Sequence, residues 1–121
     1  MEKENFDKIK AMFQKYAPPL SVMMDSDERY DLYSKKEVTL FGRAYKEIYF
    51  GSVILKPKYI GFYFMPVYVF PEMLTNVPET LKKLQTGKSC FHIKKYDETV
   101  FKNIEKLMKE GFEMYKKHNY V

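Results

Sequence analysis

The 121-residue chain contains one cysteine, two histidines and two arginines. A lone cysteine, Cys90, excludes an internal disulfide, so a reducing, cytoplasmic setting is the simplest reading. Two histidines and one cysteine cannot complete a structural zinc site without carboxylates. Arginine is the residue best suited to bidentate phosphate contacts, and Arg29 and Arg43 are too few to suggest a nucleic-acid surface. Long apolar runs are also missing. The opening "MEKENFDKIK" is charged from its second residue and no segment approaches the length of a membrane span, so a soluble protein with no membrane partner is expected. There is no internal repeat, low-complexity tract or linker, and the length suits one domain over residues 1–121 with a single core.

What is present in excess is lysine, unevenly placed. The formal net charge is +5, and residues 81–121 carry all of it, with ten lysines against five carboxylates. The first eighty residues balance at eleven against eleven. Solvated lysines on amphipathic helices account for this better than a nucleic-acid partner, and any attraction to a polyanion is expected to be weak, non-specific and steeply salt-dependent.

Periodicity gives the order of elements. Phe6, Ile9, Met12, Phe13 and Tyr16 fall at helical spacing, and Pro18 and Pro19 end that helix. "LSVMM" and "YDLYS", separated by "DSDER", predict a hairpin. "VTLFGRAY" leads into "YKEIYFGSVIL", followed by "KPK" and "YIGFYFM", which predict a second hairpin turning at Pro57. In it Ile48, Phe50 and Ile54 alternate with Tyr49, Val53 and Leu55, and Ile60, Phe62 and Phe64 with Tyr59, Tyr63 and Met65. Both faces are therefore apolar or aromatic; helices should cover one, leaving an aromatic surface for loops, a partner or a ligand. Gly51 and Gly61 are expected to be close neighbours across the two strands, where a helix or ligand could approach the backbone. "MPVYVFPEML" reads as an irregular apolar connection that could cover part of the second face. Asn76 is expected to cap a short helix, with Glu79 completing the capping pattern. A final helix, capped by Asp97, buries Val100, Phe101, Ile104, Leu107, Met108 and Tyr115, with Gly111 on the same side for close packing or a bend. These elements predict an α+β fold: an antiparallel sheet of about five to six strands, with the N- and C-terminal helices on one face.

Few residues suggest chemistry. "GKS", residues 87–89, resembles part of a phosphate loop, but the first glycine of that motif would fall at Lys82, and the motif needs a strand before it and a helix after it. Gly87 is instead expected at a helix end with positive φ, followed by a strand that buries Cys90. Cys90 and His92 share one side of that strand at ~7 Å, beyond the reach of an activated nucleophile. His118 belongs in the last turn of the final helix, where a cation complements the dipole. "DSDERYDLYSKK" begins like a calcium loop but has Arg29, Tyr30 and Lys36 at the fifth, sixth and twelfth positions, where the motif fails. No set of nucleophile, base and oxyanion donor emerges, so a non-catalytic protein is expected.

The aromatic hairpin "YFGSVILKPKYIGFYFM", the short helix, "GKSCFHI" and the capped final helix together resemble the YdhG-like domain family, small bacterial proteins related in fold to frataxin. The resemblance covers about two thirds of the chain and implies a frataxin-like fold. Some members are regarded as iron chaperones, which implies an iron-binding row of carboxylates; the matching positions are Glu2, Glu4 and Asp7, with Asp25, Asp27 and Glu28. Iron enters only through that reading. Lys3, Lys8 and Lys10 are interleaved with the helix carboxylates, so a solvated face accounts for the same residues. The residues alone point instead to a binding module: Tyr49, Tyr63, Tyr68 and His92 on an aromatic surface, and Lys88 with Ser89 at a basic edge, for a small anionic ligand or a protein partner. A monomer and a homodimer are both left open.

Overall fold

A computed structural model describes residues 2–121. Helix α1, Glu2–Gln14, turns Phe6, Ile9 and Phe13 inward. Strands β1 (Ser21–Asp25) and β2 (Arg29–Ser34) form the expected first hairpin. Its turn is held by the Ser26 hydroxyl, which accepts from the Glu28 and Arg29 backbone N–H groups. "VTLFGRAY" does more than lead into the next strand. It is a hairpin in its own right, β3 (Val38–Leu40) and β4 (Arg43–Tyr45), paired outside the main sheet.

The long hairpin follows as β5 (Ile48–Leu55) and β6 (Ile60–Phe64). "MPVYVFPEML" is not irregular: it forms the short helix α2, Pro66–Val69, and a 3-10 helix, Pro71–Asn76. This segment packs beside the final helix, where Phe70 meets Tyr115, and reaches one end of the second sheet face through Met65 and Tyr68. Helix α3 (Glu79–Lys82) is capped by Pro78 and not by Asn76, which the 3-10 helix already holds. Strands β7 (Gln85–Thr86) and β8 (Cys90–Ile93) precede helix α4, Glu98–Lys117. Asp97 caps α4 as expected, its carboxylate accepting from the Val100 N–H at 3.1 Å.

Six strands pair antiparallel in the order β1-β2-β5-β6-β8-β7, with α1 and α4 on one face. Phe13 meets Phe50 and Phe62 edge-on or tilted at 6.2 and 5.8 Å between centroids, and Phe50 in turn meets Phe64 and Tyr115. Such pairs add about 0.5–1.5 kcal/mol each beyond area burial. The sheet and α4 approach closely only because position 111 lacks a side chain: a Cβ there would lie 2.4 Å from Phe64 Cζ.

The alternation expected for β5 is broken once. Leu32 pairs with Gly51, but Tyr33 pairs with Tyr49, so Phe50 has no residue opposite. This bulge shifts the phase of the strand, letting Phe50 and Val53 both enter the helix-covered core while Tyr49 and Ser52 face the other way. The two hairpin glycines are not neighbours: Gly51 pairs with Phe64 and Gly61 with Ile54. The tight turn makes Leu55 and Ile60 partners, so the glycines sit at unequal distances from it. Phe13 of α1 covers Gly51, while the ring of Tyr63 lies over Gly61.

Candidate functional site

The sheet face away from the helices carries a row of side chains fixed by register. Asp31, Ser52, Tyr63, Cys90 and Thr86 are successive cross-strand partners, and Gly61 pairs with His92 in the next row. Neither long helix among the described residues lies on this face, yet tyrosines cover much of it. Tyr49 donates a short hydrogen bond to the fully buried Ser52 hydroxyl, and Tyr59 stacks on His92 at 4.0 Å. Arg29 Nε donates to both carboxylate oxygens of Asp31, at 3.0 and 3.1 Å. Burial raises the Tyr49 phenol pKa well above its ordinary value, against a smaller opposing effect of its bond to Ser52. Burial also raises Tyr63, with Cys90 adding to the shift.

At one end of this face the β3–β4 hairpin closes over Tyr33 and Tyr49 and leaves a cleft of about 240 Å³. The sheet supplies Tyr33, Ile48 and Tyr49, the hairpin Leu40, Phe41 and Tyr45, and Met65 and Glu47 complete the lining. Tyr33 and Tyr49 stand 5.1 Å apart at 53°, brought opposite each other by the bulge. The hairpin turn has two residues, Phe41 at φ 53° and Gly42 at φ 76°. Two positive φ values mark the turn type that favours asparagine or glycine at its first central position. Phenylalanine there is strained, and its ring is 61% exposed at the cleft mouth. Tyr68 meets the Phe41 ring at 5.6 Å, and Lys88 Nζ lies 5.7 Å from the Tyr68 ring.

The six residues singled out from the sequence therefore do not form one site. Tyr49 lines the cleft. Tyr68 and Lys88 form its outer rim through Phe41, and Tyr63 and His92 lie farther along the same face. The Ser89 carbonyl accepts from the Phe64 N–H and ties β6 to the β7–β8 turn. Sequence reasoning missed Tyr33, Phe41, Tyr45 and Glu47. The signal available was "FG" between two short apolar-polar alternations, a two-residue hairpin turn with glycine second.

Two expectations at "GKSC" need correction. Gly87 has the positive φ expected, 78°, but in the β7–β8 turn and not at a helix end, because α3 stops at Lys82 and Gln85 and Thr86 already pair with β8. The triplet is thus flanked by strands on both sides, without the helix that a phosphate loop requires. Cys90 does lie in a strand, but it is half-buried on the helix-free face, since its register partner is Tyr63.

The carboxylates matched through the family resemblance are dispersed. Asp7 pairs with Lys3 at 3.1 Å and Asp25 with Lys10 at 2.7 Å, while Glu2 and Glu4 border one surface hollow together with Lys8, Lys94 and Lys95, and Glu2 and Glu28 border another beside Lys3 and Lys56. No three His, Cys, Asp or Glu side chains among the described residues are grouped to hold a metal ion. A groove of about 360 Å³ between α1 and the start of α4 is larger than the cleft, but its charges already serve each other. Lys15 pairs with Glu105 at 2.7 Å, and Lys8 lies over Tyr96 at 4.1 Å.

No family model, curated protein or solved structure matches the chain. No helix among the described residues is long and apolar enough to cross a membrane.

Proposed function

We propose that this chain is a small, non-catalytic binding protein that takes a small organic ligand in the cleft between the β3–β4 hairpin and the helix-free sheet face. One observation carries the reading: four aromatic rings, from Tyr33, Phe41, Tyr45 and Tyr49, line a concave space left open among the described residues. Ligand sites are typically concave and mostly apolar, with a few placed polar groups, and this cleft falls just under the usual range of ~300–1,000 Å³. It therefore suits a head group or a single ring better than an extended molecule. The aromatic surface and the basic edge expected from the sequence separate in space, since Lys88 lies beyond Tyr68. The helix–sheet–helix order is the arrangement that the YdhG-like resemblance implies, and it selects no activity. The free thiol of Cys90 supports a reducing, cytoplasmic location.

A panel of small aromatic and ionic compounds, read by thermal shift, tests the proposal. At least one compound should raise the unfolding midpoint, and that gain should vanish in Tyr45→Ala while surviving in Lys15→Ala, which alters the α1–α4 groove. The opposite pattern would place the site in the groove. A panel with no stabilising compound at all would overturn the reading.

A further inference from the structure

Resting on that reading, we infer that the cleft's ligand is an organic cation, an alkylammonium group held against the tyrosine faces with Glu47 as its counter-charge. The lining is electrostatically one-sided. Glu47 is its one charged residue, and neither lysine nor arginine lines it. The faces of aromatic rings are the negative ends of their quadrupoles, so Tyr33, Tyr49, Tyr45 and Phe41 reinforce the carboxylate and disfavour an anion. Alkylated ammonium groups are the ligands such walls favour, because they combine apolar surface with a diffuse positive charge. Tyr33 and Tyr49 pack against each other at 5.1 Å and 53°, so a cation would rest on the pair from the cleft side and not between the two rings.

A second observation points to the same place. Phe41 keeps a bulky ring in a left-handed conformation that a hairpin turn would more easily give to asparagine, and the ring stays largely exposed. Strain of this kind clusters where a side chain is held for binding. Glu47 already has a partner in Lys35, whose Nζ lies 3.3 Å from one of its oxygens. Both side chains are more than one-third exposed, and such pairs are weak, so an incoming cation can share or displace the lysine.

Calorimetric titration of the intact chain with choline, and with its uncharged isostere in which carbon replaces the quaternary nitrogen, tests the inference. Choline should bind about tenfold more tightly than the isostere, the ratio expected for a cation over aromatic faces. Glu47→Gln should weaken choline binding, and Lys35→Gln should strengthen it while leaving the isostere unaffected. Lys35→Gln changes an exposed residue outside the core, so its result does not depend on whether a cleft variant folds. Equal binding of the two probes would overturn the cation assignment and leave the ligand-binding reading standing. Failure of both to bind would also overturn it, and the compound panel would then decide the broader reading alone.

Discussion

Tyr115 shows how a single residue joins the core to the candidate site. It is fully buried on α4, and its hydroxyl donates to the Tyr49 carbonyl at 2.8 Å, fixing the backbone of a cleft residue from below. Burial pushes its phenol pKa well above the ordinary 10.0, and the nearby Tyr120 and Tyr49 phenols push further in the same direction. The folded chain thus holds Tyr115 and Tyr49 protonated at a pH where the unfolded chain releases both protons. The stability they confer is complete below about pH 10 and is lost as pH rises through their folded values. Alkaline titration followed by phenolate absorbance should therefore show exposed tyrosines ionising first, then a cooperative step that coincides with loss of helix circular dichroism. Smooth ionisation of all eleven tyrosines with the fold intact would contradict this burial. Gly111 gives a mechanical test. Alanine should gain about 1 kcal/mol of helix propensity, yet its Cβ would lie 2.4 Å from Phe64 Cζ, on a ring that has no free space to swing into. Overpacking costs about 1–3 kcal/mol, so Gly111→Ala should lower the denaturation midpoint despite the better helix former.

Among the elements, the long periodic ones were legible in the sequence and the short ones were not. Six apolar residues at helical spacing after Asp97 leave only one arrangement for α4, and all six are buried. The strands from Ile48 to Phe64 were equally plain, but their side-chain phase was not, because a bulge depends on how β2 pairs and leaves no mark in β5 itself. The β3–β4 hairpin was missed because three-residue strands carry too little alternation to register. Its turn residue, Phe41, contradicts the usual turn chemistry, and local rules tend to fail at functional or strained sites. Replacing Phe41 by asparagine separates the two roles. Asn tolerates positive φ, so Phe41→Asn should hold or raise the unfolding midpoint while weakening ligand binding in the cleft. A variant that binds as well as the original would show that the exposed ring has no part in recognition.

At the scale of the whole molecule, the two faces of the sheet have different roles. One is sealed by α1 and α4 around a continuous aromatic core, and every fully buried phenylalanine belongs to it. The sequence already required the second face to be covered by something, and the chain supplies part of that cover itself. Tyr49 lies over Ser52, Tyr63 over Gly61 and Tyr59 against His92, while the end beneath the β3–β4 hairpin remains concave. That division could not be read from composition, since tyrosine is common on both faces. It depends on which rings fold down onto their own strands and which stand up to line a space. The central claim, that this end of the helix-free face is where the molecule binds, is tested most directly by amide chemical-shift mapping with the strongest stabilising compound from the panel. The shifts should concentrate at Tyr33, residues 40–49 and Met65, and leave the α1–α4 groove unmoved. Shifts centred on Lys8, Lys15 and Tyr96, with the hairpin unaffected, would contradict it.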